Sequence, residues 1–131
     1  MSRWIVHSHA AFEARHALTL YQGTAEEAHD HEWRVEVQVG AESLNEEGYA
    51  LDFLDVHKIL SEAVTPLDGS DLNTHPEIGR PSPTAERVAE VLAEVLAPLY
   101  EAIGGQLLSV SIWEGPENRV DLMIDAEAVS H

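Results

Sequence analysis

Apolar residues recur at two different periods along this chain, and the change of period marks out its elements. From Trp4 to His16 the spacing is close to two, with Trp4, Ile5, Val6 and Phe12 as apolar members, which predicts a strand ending at His16. Residues 31–41 alternate more strictly, with Trp33, Val35, Val37 and Val39 on one face of a second strand. The connection over residues 17–28 is too long for a tight hairpin and contains Gly23, Thr24, Glu26 and Glu27, a length and composition common in functional loops. Helical spacing takes over at Phe53, Val56, Leu60, Ala63 and Val64, with Asp52 placed as N-cap and a stop before Pro66. Residues 67–81 are rich in Asp, Gly, Asn and Pro and read as irregular.

A second helix is expected to open at Ser82-Pro83-Thr84, with serine as N-cap, proline at the first helical position and Glu86 favouring the positive end of the helix. Its apolar stripe is wide: Val88, Val91, Leu92, Val95, Leu96, Leu99 and Ile103. Pro98 should kink it and Gly104-Gly105 should end it. Two strands follow, over residues 107–114 and 120–126, joined by the turn Gly115-Pro116-Glu117-Asn118. The order strand, strand, helix, helix, strand, strand predicts an α+β fold in one domain of residues 1–131, a four-stranded antiparallel sheet with two helices on one face.

Charge narrows the partners. Against 24 acidic residues stand 7 basic ones, a formal charge of −17, and Arg3, Arg15, Arg34, Lys58, Arg80, Arg87 and Arg119 never cluster. Nucleic acid and anionic membranes need a basic stripe, so both are expected to be absent from the partners. No stretch approaches the roughly 18 apolar residues of a membrane span, which makes a cytoplasmic location the expectation. The chain has no cysteine, which removes disulfides, thiolate ligands and a thiol nucleophile.

The chemistry concentrates at Ala28-His29-Asp30-His31-Glu32-Trp33. On a strand, side chains at i and i+2 share a face, so both imidazoles project together. Zinc binds imidazole nitrogen at roughly 2.0–2.1 Å and, in catalytic sites, takes three protein ligands and keeps one position open. His16, at the end of the preceding strand, is the best third donor, and His16, His29 and His31 are read as a zinc site. His29 and His31 share parity with the valines, which places the metal on the more buried side. The same spacing occurs at His7 and His9, where the plain reading is a solvated strand.

Together with these histidines, several short motifs resemble the 6-pyruvoyltetrahydropterin synthase and 6-carboxytetrahydropterin synthase family. They are Phe12-Glu13-Ala14-Arg15-His16, His29-Asp30-His31, Gly48-Tyr49-Ala50-Leu51-Asp52-Phe53, Leu67-Asp68-Gly69-Ser70-Asp71-Leu72-Asn73, Pro83-Thr84-Ala85-Glu86 and Glu114. Each is weak alone, but six in order span nearly the whole chain. The resemblance implies the tunnel fold, a homohexamer built as a dimer of trimers with sites between subunits, a small-molecule pterin ligand and Zn2+ as cofactor. It implies Glu114 as acceptor for the pterin amine and ring N–H groups, joined by Glu86 and Thr84 from a neighbouring subunit. Taken alone, Glu86 reads as an ordinary acid at a helix start.

The chain also departs from the family pattern. The family cysteine falls at Ala25, and the histidine of its Leu-Asp-His pattern falls at Gly69, leaving Asp68 without an imidazole to orient. Three outcomes follow: Glu26 or Glu27 serves as carboxylate base, His75 enters from the loop, or the protein binds a pterin or another metal-chelating ligand without the standard reaction. The implied function is therefore a zinc-dependent lyase or related enzyme acting on dihydroneopterin or its triphosphate, with the dephosphorylated substrate favoured by the chain's acidity. The alternatives are a non-catalytic pterin- or metal-binding homologue and a structural oligomer with wet histidines.

Overall fold

A computed structural model describes residues 3–19 and 27–124. Its elements are β1 (Trp4–His16), β2 (His29–Ala41), α1 (Phe53–Val64), β3 (Ser70–Asp71), α2 (Ala85–Glu101), β4 (Gln106–Glu114) and β5 (Asn118–Met123). They form one sheet in the order β3-β1-β2-β4-β5. The four expected strands pair antiparallel, and α1 and α2 cover one face, against β1 and β4 respectively. The α+β architecture read from the periodicity is the one observed.

Alternation decides which face the helices cover. Val6, Phe12, Trp33, Val35, Val37, Val39, Val110 and Ile112 point inward and are almost wholly buried. They meet Val56 and Leu60 of α1 and Val88, Leu92 and Leu96 of α2. Each such side chain contributes roughly 1.5–3 kcal/mol through removal from water, opposed by the entropy of ordering the chain.

The elements differ from expectation where tertiary contacts compete with local signals. The segment expected to be irregular contributes β3, which pairs parallel with Ala14 and Arg15 of β1. Gly69 makes this possible: at φ +74° it takes a left-handed turn, and its N–H donates to the Glu13 carbonyl at 2.7 Å. Thr84, not Ser82, caps α2, accepting from the Arg87 N–H at 3.1 Å. Ser82 is held elsewhere, by the Thr19 amide at 3.0 Å, so the helix starts later than Ser82-Pro83 suggested.

Val95, Leu99 and Ile103 are at least a third exposed, whereas Ala89 and Tyr100 are buried, so the stripe is narrower than expected. Pro98 lies inside α2, which runs on to Glu101. β2 begins at His29 rather than at residue 31, and β5 begins at Asn118 rather than at 120. The rest of the expected last strand, residues 125 and 126, lies outside the described residues. Among the described residues no helix is long and apolar enough to cross a membrane.

Tyr100 ties the two helices together by donating its O–H to the Val56 carbonyl at 2.9 Å, and burial pushes its phenol well above the usual value near 10. Tyr100→Phe should cost about 1 kcal/mol by orphaning that carbonyl. The sign of the pH effect follows from linkage: the raised phenol contributes stability that is complete below about pH 10 and is lost as pH rises toward the folded value. Urea unfolding at pH 8 and pH 11 should therefore show a larger alkaline loss in the parent chain than in Tyr100→Phe.

Candidate metal centre

Strand register brings the histidines together. His16 is the direct cross-strand partner of His29, and His31 faces Ala14, two residues back along β1. Side chains at these positions share the helix-covered face, so three imidazoles from two strands meet at one end of the sheet. Their ring centroids lie 4.8 Å (His16 and His29), 5.4 Å (His16 and His31) and 4.2 Å (His29 and His31) apart. Glu114 joins from the end of β4, where it pairs with Trp33. One donor atom from each of His16, His29, His31 and Glu114 can be chosen so that all lie within 4.8 Å of one another.

The rings are aimed. His16 is fully buried, and its Nδ1 lies 2.9 Å from the Pro83 carbonyl, which can only accept, so Nδ1 carries the proton and Nε2 points into the cluster. His29 Nδ1 donates in the same way to the Glu27 carbonyl at 3.1 Å. Fixing one ring nitrogen as donor sets the tautomer and leaves the other as ligand, the arrangement found around metal-bound histidine. The Trp33 indole packs edge-on against His16, with centroids 4.9 Å apart, and donates to the Ala14 carbonyl at 3.3 Å.

Glu114 shows what this end of the sheet requires. Its Oε1 is 2.6 Å from His16 Nε2 and 3.4 Å from His31 Nε2. With Nδ1 already protonated, a neutral His16 would turn a lone pair on a carboxylate. The contact needs a proton or a cation between the two atoms: a proton on the ring or on the carboxyl, or a divalent cation. The His16 hydrogen bond holds the Glu114 carboxyl below its usual range against the opposing effect of burial, helped by the charges of His16, His31 and His29. The three imidazoles fit a tetrahedral transition cation that keeps one position open, with the Glu114 carboxylate beside them.

Loop contacts hold the end of β1 that carries His16. The Asn73 side chain accepts from the Ala17 N–H at 2.7 Å and donates to the Ala17 carbonyl at 2.8 Å, standing in for a strand partner. Asn73 lies in one of the motifs quoted for the family, but neither this holding role nor the part of the Pro83 carbonyl follows from the motifs. Backbone acceptors carry no residue-type signature, but the Asn in the Leu-Asp-x-x-x-Leu-Asn stretch was a visible cue.

A cavity of about 710 Å³ adjoins the cluster at His31, lined also by Glu13, Ala14, Arg15, Asp30, Glu32, Gly69, Ser70 and Asp71. The other expected site residues are scattered within one chain. Asp68 accepts from the Glu13 N–H at 2.9 Å and lines a different, smaller cavity with His57 and Ser61. Thr84 caps α2, and Glu86 is exposed in its first turn. His75 Nδ1 accepts from the amides of Glu77 and Ile78, closing its own turn, and is not among the clustered donors. Glu27 is exposed beside His29, while Ala25 and Glu26 lie outside the described residues.

Comparison with known proteins agrees with this geometry. The family model for 6-pyruvoyl tetrahydropterin synthase matches residues 5–124. The chain belongs to that family. It is 33% identical over 115 residues to a dihydroneopterin monophosphate aldolase of Pyrococcus furiosus, covering 86% of this chain and 91% of the relative. The fold is that of the Caenorhabditis elegans 6-pyruvoyl tetrahydropterin synthase, with TM-score 0.78, 19% identity and coverage of 95% of this chain and 98% of that one. A Plasmodium vivax 6-pyruvoyltetrahydropterin synthase, described as a catalytic-residue mutant with a glutamate exchanged for alanine, matches with TM-score 0.67 and 11% identity over 95% and 99% of the two chains. The chain is thus a tunnel-fold protein of the pterin-synthase family with a histidine and glutamate cluster able to hold a metal ion.

The cluster's metal capacity has a direct test. Zinc added to the metal-free protein should raise its melting temperature, and His16→Ala should abolish tight uptake. His29→Ala or His31→Ala should weaken uptake at least tenfold, read by competition with a chromogenic chelator.

Proposed function

We propose that this protein is a zinc-dependent lyase that cleaves the side chain of a dihydropterin, with dihydroneopterin or a phosphate ester of it as substrate. One observation carries the reading most: imidazole nitrogens of His16 and His29 are fixed by backbone acceptors so that their partners face His31 and Glu114. The 33% identical relative, a dihydroneopterin monophosphate aldolase, supports the substrate class. Zinc held by His16, His29 and His31 would supply Lewis acidity to a hydroxyl or carbonyl oxygen of the substrate side chain.

The chain's own groups do the rest. Glu114 accepts from the amino and ring N–H groups of the pterin and orients it with a charge-assisted pair. Glu26 or Glu27 acts as base in place of the family thiol, and a glutamate in the catalytic role of the Plasmodium vivax protein supports that assignment. In an aldol cleavage the base takes the proton of the side-chain hydroxyl one carbon beyond the ring-attached carbon. The oxygen then forms a carbonyl, the carbon–carbon bond breaks, its electron pair passes into the ring system and the ring-attached carbon is protonated. Asp68, Thr84 and Glu86 do not reach the cluster within one chain, and in this reading a second copy in a hexamer brings them to it.

The lining beside His31 bears on the substrate's charge. Glu13, Asp30, Glu32 and Asp71 face one guanidinium, Arg15, which disfavours a triphosphate more than a monophosphate or the free alcohol. The zinc-loaded protein assayed on dihydroneopterin, its monophosphate and its triphosphate should show the lowest kcat/KM on the triphosphate. Glu26→Gln with Glu27→Gln should lower kcat by about 10²–10⁴-fold with zinc content unchanged. Turnover untouched by the double change removes both glutamates as base. Stoichiometric pterin binding without turnover on any of the three would replace the enzyme with a binding protein.

A further inference from the structure

On the opposite face of the same two strands lies a second group of metal-ligating side chains. His7 and His9 are at i and i+2 of β1, on the side not covered by the helices, and Glu36 is the direct antiparallel partner of His9. Both imidazoles converge on one carboxylate oxygen: His9 Nε2 is 3.1 Å and His7 Nδ1 is 3.5 Å from Glu36 Oε1. We propose that His7, His9 and Glu36 form a second, surface site for a first-row transition cation, separate from the His16, His29 and His31 cluster.

The geometry admits a shared cation between the two imidazoles and the carboxylate. Ligand atoms at about 2.0–2.1 Å from a tetrahedral metal stand about 3.3 Å from one another. Two of the three edges of the His7, His9 and Glu36 triangle already lie near that length. The third edge, between the two imidazoles, is longer than the 4.8 Å within which the His16, His29, His31 and Glu114 ligand atoms all lie, and both rings are at least half exposed, at 50% and 59%, so cation binding would turn them toward each other. Glu36 is the anchored member, with only 16% of its side chain exposed. Two imidazoles and a carboxylate form a donor set that zinc, cobalt and nickel accept and that magnesium and calcium, which prefer oxygen, do not.

The site is distinct from the first. His9 and His16 are seven residues apart along one extended strand, about 23 Å, and project to opposite faces. The two sites also differ in how well they are held. The buried histidines have ring nitrogens tied to backbone carbonyls, whereas His7 and His9 must order half-exposed side chains on binding, so the second cation binds more weakly than the first.

The test is cobalt(II) titration of the metal-free protein, followed by visible absorption and equilibrium dialysis. The parent chain should take up two ions, the second at least tenfold more weakly. His7→Gln with His9→Gln should leave one tight ion, and Glu36→Gln should weaken only the second event, by tenfold or more. His29→Gln with His31→Gln should keep the weak event and lose the tight one, which separates this site from the proposed enzymatic one. Saturation of the parent at one ion, or two ions retained in the His7 and His9 double variant, would overturn the assignment.

Discussion

Everything at the working end of this molecule depends on the register between β1 and β2. Thirteen cross-strand pairs run from Trp4 opposite Ala41 to His16 opposite His29, and the metal cluster is simply the last rungs of that ladder. A slip of one residue would turn every side chain of one strand to the other face, exposing the valines and separating the histidines. Burial of Trp33, Val35, Val37 and Val39 under the helices therefore enforces the site geometry as well as the stability. Core and chemistry share one periodicity.

The chain concentrates its precision at the sheet's end. Strand ends fray easily, yet His16 sits fully buried where β1 gives way to a loop. Three contacts prevent fraying: the Asn73 amide grips Ala17 on both backbone groups, the Ser82 hydroxyl accepts from Thr19, and the Pro83 backbone carbonyl accepts from His16 itself. Gly69 docks the intervening segment on Glu13, adding β3 beside the same strand end. The left-handed Gly69 completes this brace through its amide. Histidine ligands need supporting partners as much as they need a metal, and those partners come from a stretch far away in sequence.

Electrostatics gives the two faces of the sheet different characters. On the helix side, a half-buried carboxylate sits among three imidazoles of which only His16 is fully buried, and only a proton or a cation reconciles the short Glu114 and His16 contact. On the open side, the strands carry solvated charge: His7, His9 and Glu36 toward one end, and the Trp113 ring flanked by the guanidinium groups of Arg34 and Arg119 toward the other. A chain with 24 acidic residues spends two of its seven basic ones on that indole, which leaves Arg15 as the lone cation lining the cavity at His31.

Local pattern was enough to read the four main strands, both helices and the three clustered histidines, because alternation and helical spacing are properties of neighbouring residues. Glu114 came from the family resemblance instead, and the fold places it at the end of β4. Where a decision belonged to distant groups, the pattern fell short: Ser82 looked like the better cap until Thr19 claimed its hydroxyl, and the loop after α1 looked shapeless until β1 offered it an edge. The quoted motifs imply Thr84 and Glu86 as groups supplied by a neighbouring subunit, and within one chain Thr84 caps α2 while Glu86 is exposed in its first turn. Residue order settles which faces are apolar and which side chains can act as ligands. Only the packed structure decides which backbone carbonyl aims a ring nitrogen, since that depends on segments brought together across some 70 positions by burial rather than by sequence proximity.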